Sequence, residues 1–259
     1  MLNDIPGGVF NRYQELYSLN ISQNGRMETI HNDSFNGLKS LEHLDLQYLT
    51  SLKKIAPHSF SALASLRHLD LRGSYEVGLK QILLRLRSLP MNCTLDYLNL
   101  KHVNEVTDFE DISLPILRVL KRLQVKVLIL DENRIVSIRP GYSEYLGSVK
   151  YLSLRRNYLH FYSGFANFID FLFMYSVKVL HLGDNSYIPL KNKPTLNNTF
   201  SQTCTPLPQD MEEVYFNNMQ VTIYYKLYVN GLCFGEPNKL RIFDLTGTSF
   251  WGIEKPIKG

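Results

Sequence analysis

The chain has 259 residues, of which 44% are hydrophobic and 20% charged, and its net charge is +4. This apolar fraction excludes a disordered or collagen-like chain. No apolar run reaches the roughly 18 residues that cross a bilayer, so we expect no membrane span in this segment. The opening residues show no secretory signal pattern. Lys and Arg are scattered without a run of five, so nucleic-acid binding is not indicated.

An apolar pattern of the form L-x-x-L-x-L recurs along the whole chain and is its main signal. Its copies begin at Leu16, Leu41, Leu66, Leu95, Val125, Val149, Val177, Met211 and Leu240. Each copy predicts one short strand whose first, fourth and sixth residues point inward. One copy cannot bury that face alone, whereas stacked copies share a continuous core and a parallel sheet. We therefore expect a single array of nine repeats over residues 1–259, without a domain boundary.

Both ends of the array are predicted to be incomplete. Leu2 and Ile5 fit the later part of a repeat whose strand is missing, and Gly259 falls within the ninth repeat. Neither flank carries a cysteine cluster of the kind that caps such arrays in secreted proteins, and uncapped repeats expose their core. We therefore expect a truncated piece of a longer array; a complete small protein is the alternative.

Asparagine recurs at the ninth position of the repeat, where the strand turns outward. Asn24, Asn133, Asn157 and Asn185 are predicted to satisfy backbone groups there. The ladder is expected to be broken at the five other positions, which hold Leu49, Ser74, Val103, Met219 and Thr248.

The connections between strands are predicted to differ in structure. Apolar residues at helical spacing predict amphipathic helices over 79–89, 111–123 and 164–175, packed against the sheet. Four prolines between positions 189 and 208 predict a loop over 189–210.

The repeats resemble those of leucine-rich-repeat proteins, and more narrowly those of Toll-like receptor ectodomains. The first two repeats resemble that family's F-x-x-L-x-x-L-x-x-L-x-L form. The segment GLKQILLRLRSLPMNCTLDYLNL is similar to its long repeat with a helical convex side, and LILDENRIVSIRPG and YLSLRRNYL are similar to its central repeats. The predicted fold is an α/β leucine-rich-repeat solenoid, curved, with the parallel sheet on the concave face and mixed helices and loops on the convex face.

The resemblance implies the ligand-recognition part of an innate immune receptor that signals by dimerising, with its ligand microbial or endogenous. It also implies a lateral dimer face and an extracellular or endosomal location within a single-pass membrane protein. An extracellular adhesion or secreted protein-binding module without signalling is the alternative. No contact residues can be transferred from the family, because its members bind different ligands at different places.

Strand positions three and seven alternate with the core positions and are predicted to face the concave side. Tyrosines beside small apolar residues suit a binding patch, and charged residues flank this stripe. The predicted patch comprises Tyr97, Val127, Tyr151 and Val179 at position three, with Arg72, Lys101, Asp131 and Arg155 at position seven. An ordinary sheet surface is the alternative interpretation.

Covalent features agree with a secreted chain. Sequons of the N-x-S/T type occur at Asn20, Asn32, Asn92 and Asn197, and a glycan on Asn20 would cover part of the concave face. Cys204 and Cys233 each lie seven residues before a strand and are predicted to form a disulfide, with two buried thiols as the alternative. Cys93 is expected to be an unpaired, packed residue.

No enzyme signature occurs, so we expect a binding module with no catalytic residues and no cofactor. His43 and His68 fall at the same position of adjacent strands, which motivates a pH-sensitive surface. A metal site lacks a ligand-spaced motif and is not predicted.

Overall fold

The computed structural model describes residues 2–104, 110–139, 141–159, 174–185, 205–206, 208–219, 232–233 and 239–248. Its main feature is a parallel sheet of nine strands that follow one another in chain order. These strands are β1 (Ser18–Asn20), β3 (His43–Asp45), β5 (His68–Asp70), β6 (Tyr97–Asn99), β8 (Val127–Ile129), β10 (Tyr151–Ser153), β11 (Val179–His181), β13 (Glu213–Tyr215) and β15 (Ile242–Asp244). One strand for each predicted repeat confirms the leucine-rich-repeat solenoid.

Short strand pairs lie outside the main sheet. They are β2 (Thr29–Ile30) with β4 (Lys54–Ile55), β7 (Glu110–Ile112) with β9 (Ile135–Ile138), and β12 (Thr205–Pro206) with β14 (Leu232–Cys233). Ile5 forms an isolated parallel bridge with Ile30. These pairs continue the repeat beyond the turn that follows each main strand, so that neighbouring coils contact one another along two lines.

The sheet is in register throughout, which aligns equivalent positions of all repeats. Leu44 lies opposite Leu69, and Leu69 opposite Leu98. These central leucines are fully buried because each strand packs between two neighbours. The inward residues of β1 and β15, by contrast, are only partly buried, since each of these strands has a neighbour on one side.

Two helices lie across the core from the sheet. α1 spans Leu79–Arg85 and continues as a 3-10 turn over Leu86–Ser88, as the apolar spacing predicted. α2 spans Leu114–Leu123, with a proline in its first turn. The prediction that this second helix begins at 111 is wrong, because Asp111 belongs to β7.

A further 3-10 turn spans Tyr142–Tyr145. The helix predicted over 164–175 and the loop predicted over 189–210 fall largely outside the described residues. No helix in the described part of the chain is long and apolar enough to cross a membrane.

The ninth-position ladder is more continuous than the sequence suggested. Asn157 receives the backbone N–H groups of Asn133 and Ile135 at 3.0 Å, and it donates to the carbonyls of Leu130 and Leu154. A serine hydroxyl can likewise accept one backbone N–H and donate to one backbone carbonyl. Ser74 accepts the N–H of Leu49 at 3.1 Å and donates to the Leu46 carbonyl at 3.0 Å.

Two of the four other deviations from asparagine, at Thr248 and Val103, are compensated in similar ways. Thr248 bonds the Phe216 carbonyl and the N–H of Met219. Beside Val103, Asn104 at the tenth position donates to the Asn133 carbonyl at 2.6 Å and receives the N–H of Leu79 at 2.7 Å. The prediction of a break at Ser74 and Thr248 is therefore wrong, because hydroxyl groups there bond the same backbone.

Candidate functional site

The position-three stripe occupies four consecutive strands of the sheet. Tyr97 pairs with Val127, Val127 with Tyr151, and Tyr151 with Val179. All four side chains are half-buried on the face opposite the leucine core, whereas the residue that follows each of them points inward and is buried. The strand register alone thus brings together residues separated by up to 82 positions in the chain, counted from Tyr97 to Val179.

Two stacks of aromatic rings flank the apolar centre of this stripe. The first contains Tyr17, His43, His68 and Tyr97, and the second contains Tyr151, His181 and Tyr215. Neighbouring ring centroids are 4.1 to 5.4 Å apart, which follows from the roughly 4.8 Å spacing of adjacent strands. The second stack was not foreseen from the sequence, because His181 and Tyr215 stand at position five.

Within each stack, one pair of rings is nearly parallel. The His68 and Tyr97 rings lie 4.2 Å apart at 4°, and the His181 and Tyr215 rings 4.1 Å apart at 5°. Burial raises the pKa of both Tyr97 and Tyr151, so their phenols stay protonated at neutral pH. Strand β8 lies between the strands of Tyr97 and Tyr151, and its residues on this face are Val127 and Ile129. They form an apolar strip between two neutral phenols that can donate hydrogen bonds.

The position-seven cations are held by carboxylates rather than exposed singly. Arg72 pairs with Asp70 at 3.1 Å. Lys101 pairs with Glu132 at 3.1 Å, and Arg155 with Asp184 at 3.0 Å. Glu132 and Asp184 lie in the turns that follow β8 and β11, whereas Asp70 is the last residue of β5, and inspection of position seven did not reveal these partners.

Asp131 differs from the other predicted patch residues, because its carboxylate is used inside the fold. It accepts the Ser153 hydroxyl at 2.6 Å and the backbone N–H of Arg155 at 2.9 Å. Burial raises its pKa, and these two hydrogen bonds act in the opposite direction. Both bonds end on Oδ1, so this oxygen is less available to a ligand.

The residues at position five of the strands have a structural role that was not predicted from the sequence. Asp45, Asp70 and Asn99 each accept the backbone N–H of the residue two positions later, at 3.0 to 3.1 Å. These bonds close the turn at the end of each strand. Asn99 also donates to the Asp70 carboxylate and to the Tyr97 hydroxyl at 3.1 Å, which links the turn to the stripe.

The half-buried His68 and His181 resist protonation. Burial lowers the pKa of His68, and the neighbouring His43 and Arg72 act in the same direction while Asp45 opposes them. Burial also lowers the pKa of His181, where Arg155 adds to the effect and Glu213 opposes it. Among the described residues, no group of three metal-ligating side chains comes together.

The predicted modification sites are distributed over the surface. Asn20, Asn32 and Asn92 are all exposed, and Asn20 ends β1 on the face that carries the stripe. Asn197 and Cys204 lie outside the described residues, and Cys233 pairs in β14 with Pro206. The Cys204–Cys233 bridge stays a prediction that peptide mapping without reduction can test. Cys93 is a buried, unpaired thiol.

Comparison with known proteins agrees with this architecture. The leucine rich repeat family matches residues 2–48 and 14–75, and the strands beyond residue 75 continue the same repeat. The chain thus has the leucine-rich-repeat solenoid fold, which is typical of modules that bind proteins or other ligands, and its first 75 residues match that family. No curated protein matches the chain.

Thirty-three chains of solved structures match. Among them is the crystal structure of human 5T4 (Wnt-activated inhibitory factor 1, trophoblast glycoprotein), which has 21% sequence identity and a TM-score of 0.37. The match covers 72% of this chain and 58% of that chain, so the present chain spans little more than half the length of the matched protein.

Proposed function

We propose that this chain is the ligand-recognition part of a Toll-like innate immune receptor that binds a microbial or endogenous ligand and signals through dimerisation. Support comes from the resemblance of its repeats to that family, from the solenoid fold, and from exposed sequons that suit an extracellular or endosomal lumen. An extracellular adhesion or secreted protein-binding module without signalling is the second candidate, and the leucine-rich-repeat fold suits it equally.

The observation that carries the proposal is the in-register stripe of Tyr97, Val127, Tyr151 and Val179. Tyrosine offers a large apolar surface with little conformational entropy to lose, together with a hydroxyl that hydrogen-bonds. The two phenols bracket an apolar strip, and cations held in fixed ion pairs border it. A ligand with apolar groups and hydrogen-bond acceptors would complement this surface.

The coding sequence beyond Gly259 separates the two candidates. The receptor proposal expects the reading frame to continue into a membrane-spanning helix and a cytoplasmic Toll/interleukin-receptor domain. A reading frame that encodes only further extracellular segments would contradict the signalling role and favour the adhesion or secreted module.

The binding face is tested by the double substitution Tyr97→Ala and Tyr151→Ala. The ligand for this test is first isolated from microbial and endogenous extracts by its binding to the unmodified chain. We expect the double substitution to weaken the binding of that ligand by about tenfold or more, because interface tyrosines are common hot spots. The matched control is Tyr13→Ala with Tyr175→Ala, which removes two tyrosines that are 57% and 66% exposed elsewhere. Equal affinities of the two double variants would show that the stripe is not the binding site.

A further inference from the structure

The two helices of the convex side carry charges of a single sign. The segments Leu79–Arg85, Leu86–Ser88 and Leu114–Leu123 contain no aspartate or glutamate. Their outward cations, here called the helical basic face, are Lys80, Arg85, Arg87, Arg118 and Lys121. Five positive charges on one pair of packed helices exceed the net charge of +4 of the entire chain.

Almost none of these cations is used within the fold. Within the described residues, Lys80, Arg85, Arg87 and Arg118 take part in no ion pair, and Lys121 only approaches the Tyr145 ring at 5.4 Å. The sheet side is different, because Arg72, Lys101 and Arg155 are each paired with a carboxylate there. Unpaired like charges on neighbouring helices destabilise a fold slightly, so a role outside the fold would account for them.

Arg122 shows what a structural arginine looks like in the same helix. Its guanidinium points inward and donates to the carbonyls of Leu86 at 2.7 Å, Leu89 at 3.1 Å and Pro90 at 3.3 Å. It thereby caps the end of the neighbouring helical segment. Because Arg122 is used in this way, it is not part of the helical basic face.

A cavity of about 390 Å³ with a lining of mixed charge opens beside α1. Lys80, Gln81, Leu84 and Arg85 line it, together with Glu76 and Glu110. Glu76 is paired with Lys53 at 3.7 Å. Among the described residues, the buried Nε of Arg85 has no hydrogen-bond partner, as is also true of the Nε of Arg72 and Arg155 on the sheet side.

We propose that the helical basic face binds a sulfated polysaccharide. Lys80 and Arg87 are separated by about 10 Å along the helix, and Arg118 and Lys121 by one turn. A linear polymer with repeated sulfate groups can meet charges spread over this distance, whereas a single small anion cannot. The helical basic face lies across the core from the stripe of Tyr97 and Tyr151. Loss of binding at one of these sites would therefore leave binding at the other unchanged.

Two alternative polyanions fit the surface less well. Neither helix contains Phe, Tyr or Trp, and Tyr145 beside Lys121 is half-buried, so the described face lacks a row of exposed rings on which single-stranded nucleic acids stack. An anionic bilayer would require exposed bulky apolar residues beside the cations. On the helices, Leu84 and Leu114 are half-buried, and the exposed Met91 follows the first helical segment as a single bulky apolar residue.

The test compares two charge-matched variants of the whole chain, with heparin as the probe. The face variant carries Lys80→Gln, Arg87→Gln, Arg118→Gln and Lys121→Gln, since glutamine keeps the helix propensity of the residues it replaces. The control variant carries Arg12→Gln, Arg26→Gln, Lys39→Gln and Lys150→Gln, which removes the same charge from exposed positions away from α1 and α2. Circular dichroism checks the fold of both, and Arg118→Gln with Lys121→Gln serves as a milder variant should the face variant unfold.

The unmodified chain is expected to bind heparin with an affinity that falls steeply as salt is added. The face variant is expected to lose about tenfold or more in affinity at 0.1 M salt, and the control variant less than about threefold. Equal losses in the two variants, or no heparin binding by the unmodified chain, would overturn the proposal. So would equally tight binding of chemically desulfated heparin or of single-stranded DNA, because the site would then not select sulfated sugars.

Discussion

Asn157 is the residue whose replacement tests the ladder most directly. Its side chain is 1% exposed and stands between two neighbouring repeats. The Oδ1 atom receives the N–H groups of Asn133 and Ile135, while Nδ2 donates to the Leu130 and Leu154 carbonyls. In Asn157→Ala these bonds are lost, and no other part of the alanine side chain can replace them.

The expected cost follows from the groups left unpaired. The Leu154 carbonyl keeps a bond from Asn185 at 3.0 Å. The Leu130 carbonyl and the amides of Asn133 and Ile135 lose the partner that Asn157 provided. A buried polar group without a partner costs about 1 to 3 kcal/mol, so we expect the free energy of unfolding to fall by about 4 kcal/mol. Ser74→Ala strands only the Leu49 amide and the Leu46 carbonyl and should cost about 2 kcal/mol.

Urea unfolding followed by circular dichroism measures these differences, with the exposed Gln209→Ala as the neutral control. Hydrogen exchange adds a local measurement, because the amides of Asn133 and Ile135 should exchange faster in Asn157→Ala. A loss of unfolding free energy below about 1 kcal/mol in Asn157→Ala, or a loss no larger than that in Ser74→Ala, would contradict this expectation. Solvent or shifts of the backbone would then be supplying the partners of the unpaired groups.

Two further perturbations test the turns and the ring stacks. Gly73 has φ of +73°, and a Cβ there would lie within 2.4 Å of the Tyr48 ring, whereas a Cβ on Gly141 at φ of +79° would meet nothing within 4 Å. Gly73→Ala should therefore lower thermal stability clearly more than Gly141→Ala, and similar melting temperatures would contradict the close packing. Because the folded-state pKa of His181 lies below its ordinary value, its contribution to stability is present above about pH 6.5 and is lost as pH falls through the folded-state pKa. The variant His181→Phe keeps a ring against Tyr215 but has no group that titrates there. Its free energy of unfolding should therefore fall less between pH 7.5 and pH 5 than that of the unmodified chain. Equal falls in the two proteins would show that His181 does not titrate in this way.

The sequence by itself determined the architecture of the protein. Apolar residues at the first, fourth and sixth positions can be buried only if successive copies stack, so the repeat specified nine parallel strands and their register. The same period placed Tyr97, Val127, Tyr151 and Val179 side by side. The sequence also placed α1 between two strands, because the apolar residues of this helix recur at helical spacing and can be buried only on the side that faces the sheet.

The tertiary structure alone decided how polar groups are paired, because those contacts join repeats rather than neighbouring residues. It showed that Ser74 replaces asparagine in the ladder and that Asp131 is held by Ser153 and Arg155. It also distinguished Arg122, which turns inward, from Arg118, which stays exposed on the same helix. The hydrophobic period of a repeat fixes which side chains point inward, whereas the partner of a charge depends on side-chain positions across the stack. The repeat pattern therefore predicted the order of the surface residues. Only the folded chain revealed that Arg72, Lys101 and Arg155 are paired with carboxylates, whereas the cations of the helical basic face form no ion pair with the described residues.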